Sequence, residues 1–229
     1  MTGQRSGALN RFPSLPYIAP FGVFLGYLAL HAVVPLPDLA AQLLPVALLP
    51  AVFWFVSRPV LDFRAPHWLG AVLIGVLVFV VWVAPDLLFP AYRKHWLFEN
   101  VITGSARTSL SLGARSHAGL LILRALRAAL IVPVAEELFW RAWLMRWLIS
   151  PDFRSVRLGA YTAKSFWMTA LLFACEHGSY WEVGLAAGVI YNWWMVRTRS
   201  LGDLILAHAV TNACLSAYVI AAGKWEYWL

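Results

Sequence analysis

The chain has 229 residues, of which 61% are hydrophobic and only 13% charged. Soluble domains are nearer half apolar and a quarter charged, so a soluble globular protein is excluded and a polytopic membrane protein is expected. The net charge of +7 then reads as basic loops that set topology and touch anionic lipid, and no nucleic-acid partner is expected.

A spanning helix needs about 20 mostly apolar residues. The first candidate runs from Tyr17 to Leu36 and is closed by Pro35 and Pro37. No cleavable signal peptide is expected before it, because residues 1–16 are polar and the run lacks a small-residue cleavage site. The second covers Leu39 to Ser57, and the third Trp68 to Ala84, ended by Pro85. Asp86 to Ser116 is the longest polar stretch. It mixes Pro90, Arg93, Lys94 and Glu99 with Trp96, Leu97 and Phe98, which suits an interfacial segment or a lid.

The fourth run, His117 to Ile149, carries Glu136, Glu137 and Arg141; Arg124 and Arg127 near its start are expected to reach the headgroups. The fifth, Thr162 to His177, is short. The sixth covers Trp181 to Val196 and the seventh Leu201 to Ala222, with Ser200 and Asp203 as a capping pair. Lys224 to Trp228 reads as an interfacial anchor. Cys175 and Cys214 read as buried small hydrophobes, with no disulfide framework. Charge bias groups Arg5 and Arg11, Arg58 and Arg64, the loop after Ile149, and Arg197 and Arg199 on the cytoplasmic side, with Asp38 opposite. The expectation is an all-α bundle of about seven or eight membrane helices enclosing a polar cavity. It is a single integral-membrane domain over 1–229, with the motif-bearing part at about 117–222.

Ionisable residues at membrane depth are expensive and mark functional sites. Glu137 and Arg141, four apart, share a helix face and can pair. Glu136 points about 100° away and has no local partner. His177 ends Phe173-Ala-Cys-Glu-His177, and His208 with Asn212 occupies one face of the seventh run. Singly, His208 and Asn212 read better as interhelical hydrogen-bond glue, His177 as a satisfied polar residue near a helix end, and the glutamates equally well as structural partners of arginine. Together they supply a proton acceptor, a second group to hold water and two donors for an oxyanion, a set suited to metal-free amide hydrolysis. Glu176 and Glu182 read as loop or interface charges. The Tyr191-Asn192 and Trp193-Trp194 pairs read as packing, and His31, His67, His95 and His117 carry no assignment.

Glu136-Glu137-Leu-Phe-Trp-Arg141, Phe173-Ala-Cys-Glu-His177 and His208-Ala-Val-Thr-Asn212, in that order, resemble the signature of the CPBP family. These are the CAAX proteases and bacteriocin-processing (Abi) enzymes, which include the Ras-converting CAAX endopeptidase. The resemblance implies an intramembrane glutamate endopeptidase. Glu136, His177, His208 and Asn212 would be catalytic, Glu137 and Arg141 supporting, with no cofactor and no metal. The expected partners are a peptide or protein with a hydrophobic or lipidated tail, and membrane lipids. The expected location is a prokaryotic cytoplasmic (inner) membrane. A membrane carrier or proton-relay protein, an idle scaffold or immunity protein of the same fold, and a zinc-dependent hydrolase stand as alternatives. His-Glu-x-x-His is absent, which counts against the last.

One geometric demand follows. His208 should lie ~12 Å into its helix at ~1.5 Å per residue, whereas His177 lies at the far end of its own run. They can meet only if the fifth helix is short, tilted or recessed.

Overall fold

The computed structural model describes residues 11–89 and 91–228; Arg5 and Pro90 lie outside them. The described residues form helices and connecting turns. Seven principal helices appear in the expected order: α1 Leu15–Val33, α2 Asp38–Val60, α3 Trp68–Leu88, α4 Ala118–Trp147, α5 Ala163–Cys175, α6 Trp181–Thr198 and α7 Leu201–Ala222. Five of them, α1 to α4 and α7, are long and apolar enough to cross a membrane. The other two fall short of that length or apolarity. Helix α5 has 13 residues, ~20 Å at ~1.5 Å each, against a hydrocarbon core of ~30 Å. Helix α6 is longer but interrupts its apolar run with Glu182, Asn192 and Arg197. A four-residue helix, Leu112–Arg115, is capped by Ser111.

The two ends of the bundle are distinct. At one end Trp143 Nε1 donates to Ser14 Oγ (3.1 Å), and Ser200 Oγ donates to the Arg64 carbonyl (3.2 Å). Asp203 is fully buried and accepts from the His67 backbone N–H (2.9 Å) and the His67 ring (2.8 Å). The expected Ser200 cap is present (3.1 Å), but the Asp203 carboxylate ties α7 to the loop before α3 rather than closing a capping box. The basic loops around Arg64, Arg154 and Arg199 therefore share an end. At the other end Asp38 accepts from Ser111 Oγ (2.7 Å). Arg93 holds Asp86, Glu182 and the Ser179 carbonyl there, so the polar 86–116 stretch is clipped onto the turn after His177.

Helix α3 does not end at Pro85. It continues to Leu88, because a proline inside a helix removes one N–H but leaves its carbonyl free, and Phe89 N–H donates to it at 3.0 Å. Cys175 is exposed and Cys214 is half-exposed, which corrects their reading as buried residues. Interhelical contacts use small residues and hydroxyls, as is usual between membrane helices. Gly75 of α3 lies against the Ala207 backbone and Val210, and Thr211 Oγ1 donates to the Gly75 carbonyl at 2.8 Å. This contact fixes α7 beside α3 and sets the height of His208.

Candidate active site

Glu136 and Glu137 sit in the middle of α4 between two π-helical turns, Arg127–Ile131 and Leu138–Leu144. Such wide turns are rare and cluster at functional sites. The first has a local cause: Pro133 has no N–H to donate into the turn before it. It also has a consequence. Residues four apart drift ~40° around an ordinary helix. The wide turn offsets that drift, so Arg124, Ala128, Val132 and Glu136 all line one cavity of about 270 Å³.

Glu137 and Arg141 are both fully buried. Arg141 Nη1 donates to both Glu137 oxygens, at 3.0 and 3.1 Å, as the four-residue spacing requires. Its Nε donates to Asn192 Oδ1 at 2.9 Å, and its guanidinium lies 4.3 Å from the Phe173 ring centroid. Asn192 is itself fixed, since its Nδ2 donates to the Phe166 carbonyl at 2.8 Å. Glu137 then accepts from His208 Nδ1 at 2.7 Å. The chain Asn192–Arg141–Glu137–His208 is thus a continuous buried network, and it aims His208 Nε2 at Glu136, 3.9 Å from Oε2.

Glu136 differs from its neighbour. Its Oε2 is buried and accepts no hydrogen bond from the protein. It faces a cavity of about 170 Å³ shared with His177, His208 and Asn212, room for several waters at ~30 Å³ each. His177 reaches that cavity because α5 is short. Its Nδ1 lies 2.7 Å from the Phe173 carbonyl, which can only accept, so Nδ1 carries the proton and Nε2 keeps a lone pair. The ring packs between Trp82 (5.1 Å) and Phe173 (4.7 Å), and Gly184 leaves room for it. Asn212 Nδ2 donates one hydrogen to the Ala128 carbonyl (2.8 Å) and retains a second. The structure therefore brings all six sequence-selected residues into one constellation.

Other residues take roles that the sequence did not reveal. Tyr191 stacks on His208 (5.0 Å) and donates to Thr211 Oγ1 (2.7 Å), and Asn192 orients Arg141, so this pair supports the site rather than merely packing. The recurrence of Gly184, Gly188 and Asn192 every four residues was the available signal for a closely packed face. Glu176 is no mere loop charge: it lines the larger cavity with Glu136 and His177 and accepts from Trp140 Nε1 at 3.0 Å. Arg124 and Arg127 do not extend to the headgroups. Both are buried, at 8% and 7% exposure, because the wide turn rotates them inward. Tyr227 and Trp228, expected as an interfacial anchor, fold back into the cavity wall.

Among the described residues no group of three or more His, Cys, Asp or Glu is arranged to hold a metal ion. Residues 118–214 match the family model described as type II CAAX prenyl endopeptidase Rce1-like. That segment is similar to the Rce1-like family. The match takes in all six residues of the constellation and ends within α7, while α1 to α3 lie outside it. No curated relative and no solved structure matches the chain. An Rce1-like segment within a bundle of membrane-length apolar helices supports an integral membrane protein.

Proposed function

We propose that this protein is an intramembrane glutamate endopeptidase that hydrolyses a peptide bond without a metal ion. The observation that carries the reading is the difference between two adjacent carboxylates. Glu137 is saturated by Arg141 and His208, whereas Glu136 turns a partnerless oxygen into a cavity shared with His177, His208 and Asn212. A carboxylate without donors is a proton acceptor in waiting.

In this reading a water lies between Glu136 and His177 Nε2, both of which accept from it. Its oxygen attacks the scissile carbonyl carbon as Glu136 takes the proton. The carbonyl oxygen becomes an oxyanion held by the second Asn212 N–H and by His208 Nε2–H. When the C–N bond breaks, Glu136 returns the proton to the leaving amine. Arg141 and Asn192 act through Glu137 and are positioning residues. A permanently charged guanidinium cannot relay the proton itself.

The substrate class that fits is a peptide or protein with a hydrophobic or lipidated tail, because the cavity is embedded among lipid-facing helices. The test is cleavage of hydrophobic-tailed peptides by the purified protein, with and without chelator. The expected result is chelator-resistant cleavage that falls about 10²–10³-fold in Asn212→Ala, the cost of one oxyanion donor. Loss of cleavage on chelation would transfer the reading to a metal hydrolase.

A further inference from the structure

Glu176 is a carboxylate that the reaction described above leaves unused. It follows the last residue of α5, stands immediately before His177, and lines the cavity of about 270 Å³ together with Glu136. Trp140 Nε1 donates to its Oε1 at 3.0 Å. Trp140 is itself buried and packs on Phe21 (5.6 Å) and Phe173 (6.0 Å), so the carboxylate is held in place. Its other oxygen takes no hydrogen bond from the described residues. Glu176 is exposed, and none of the ion pairs among the described residues involves it. Arg141 is committed to Glu137 and Asn192, and Arg93 to Asp86 and Glu182. A carboxylate inside a membrane bundle is costly unless something pairs with it.

The cavity also has a charge polarity. Arg124 and Arg127 line it and precede Glu136 by twelve and nine residues (136 − 124 and 136 − 127). Trp140, the anchor of Glu176, follows Glu136 by four (140 − 136). A basic group in the cavity is repelled at the arginine end and attracted to Glu176. Phe21 and Phe24 of α1 line the same cavity and offer apolar surface for the stem of a lysine or arginine.

We infer that Glu176 binds the basic side chain of a lysine or arginine in the substrate, close to the scissile bond. The inference rests on the protease reading above. The four residues from Glu136 to Trp140 span ~6 Å along the helix at ~1.5 Å each. An extended peptide covers at most ~3.3–3.6 Å per residue, so the basic residue lies within about two positions of the bond presented to Glu136. Its ammonium or guanidinium donates to the oxygen that Trp140 leaves free, and a water-poor cavity strengthens such a charge-assisted bond. Glu176 is therefore a specificity-determining residue that touches a substrate side chain rather than the reacting atoms.

The test compares two fluorescein-labelled peptides, Ala-Ala-Lys-Ala-Val-Leu-Val-Leu and its norleucine counterpart, which keeps the apolar stem and lacks the charge. Binding to full-length protein in a nonionic detergent is followed by anisotropy in the Glu136→Gln background, where cleavage does not interfere. The Lys peptide should bind at least about tenfold more tightly, the range of a hydrogen bond to a charged group. The preference should vanish in Glu176→Gln, which keeps an acceptor for Trp140, and turn toward a third peptide with Glu in place of Lys in Glu176→Lys. Equal affinities, no binding of any peptide, or a preference that survives Glu176→Gln overturns the assignment. Equal affinities are also what a carboxylate that merely positions Trp140 would give. Carbodiimide coupling of the bound Lys peptide is a second readout that needs no change at Glu176, so it decides the matter even where the variants fail to fold. The cross-link should map to Glu176; no cross-link there, or one at Glu182 or Asp86 instead, overturns the assignment. Cleavage by the parent is scored separately. A Lys preference without cleavage sinks the protease reading and leaves the cation site standing, whereas cleavage of the Lys and norleucine peptides at equal rates sinks the site and leaves the protease.

Discussion

Replacing Arg141 by Met tests the buried network at its centre. The substitution keeps an unbranched apolar stem and removes the guanidinium. It deletes two bonds to Glu137, at 3.0 and 3.1 Å, one to Asn192 at 2.9 Å, and the stacking on Phe173. Glu137 is then a fully buried carboxylate with only His208 Nδ1 to hold it. Breaking a buried ion pair from one side costs about 3–5 kcal/mol, mainly because the abandoned charge stays buried. For a chain of this length that corresponds to a midpoint lower by about 6–20 °C. The assay is thermal unfolding in detergent of the parent, Arg141→Met, Glu137→Gln and the double variant. The double variant should cost less than the sum of the singles by about 1–3 kcal/mol, since neither charge is then left alone. A single variant within about 0.5 kcal/mol of the parent, or strictly additive costs, would refute the account of this pair.

Three further outcomes follow from the packing around the site. In Gly184→Ala the new Cβ would lie 3.1 Å from His177 Nδ1 and 3.2 Å from its Cβ and Cγ, so the ring must shift. Turnover should drop by about 10–10² while the melting midpoint barely moves, because small misplacements at a reacting centre are disproportionately costly; unchanged turnover would mean that His177 does not need its present position. Gly75→Ala drives a Cβ into the Ala207 carbonyl and to 2.7 Å from Val210 Cβ, so α3 and α7 must separate, with a stability loss of about 1–3 kcal/mol or more read by the same unfolding assay. Arg93→Met releases Asp86, Glu182 and the Ser179 carbonyl together; trypsin should then nick after Lys94 and Arg107 faster than in the parent, and an unchanged nicking rate would show that the 86–116 segment is held by something else.

The helices were legible in the sequence because membrane spans are written in composition. The seventh, Leu201–Ala222, falls where its apolar run begins and ends. The Glu137–Arg141 pair followed from four-residue spacing, and the isolation of Glu136 from the ~100° step between neighbours. Depth reasoning on His177 and His208 required a short fifth helix, and α5 is short. What stayed hidden depends on backbone details that residue type does not encode. Nothing in residues 138–144 announces a wide turn, and although Pro133 hints at the one before it, the rotation that carries Arg124 and Arg127 into the cavity could not be read from spacing. An arginine near a helix end reads equally well as snorkelling to the surface. Asn192 was hidden for another reason: its partners, Arg141 and the Phe166 carbonyl, come from other helices, so no local pattern points to them.

The central claim is that Glu136 is the proton acceptor for water and Glu137 is not. The most direct measurement is the turnover number of Glu136→Gln on a cleaved peptide, with chelator present, beside a melting curve of the same preparation. Glutamine keeps the shape and removes the base, so the account predicts a fall of about 10²–10⁴ with the fold intact. Turnover within tenfold of the parent, in a folded protein, would contradict it.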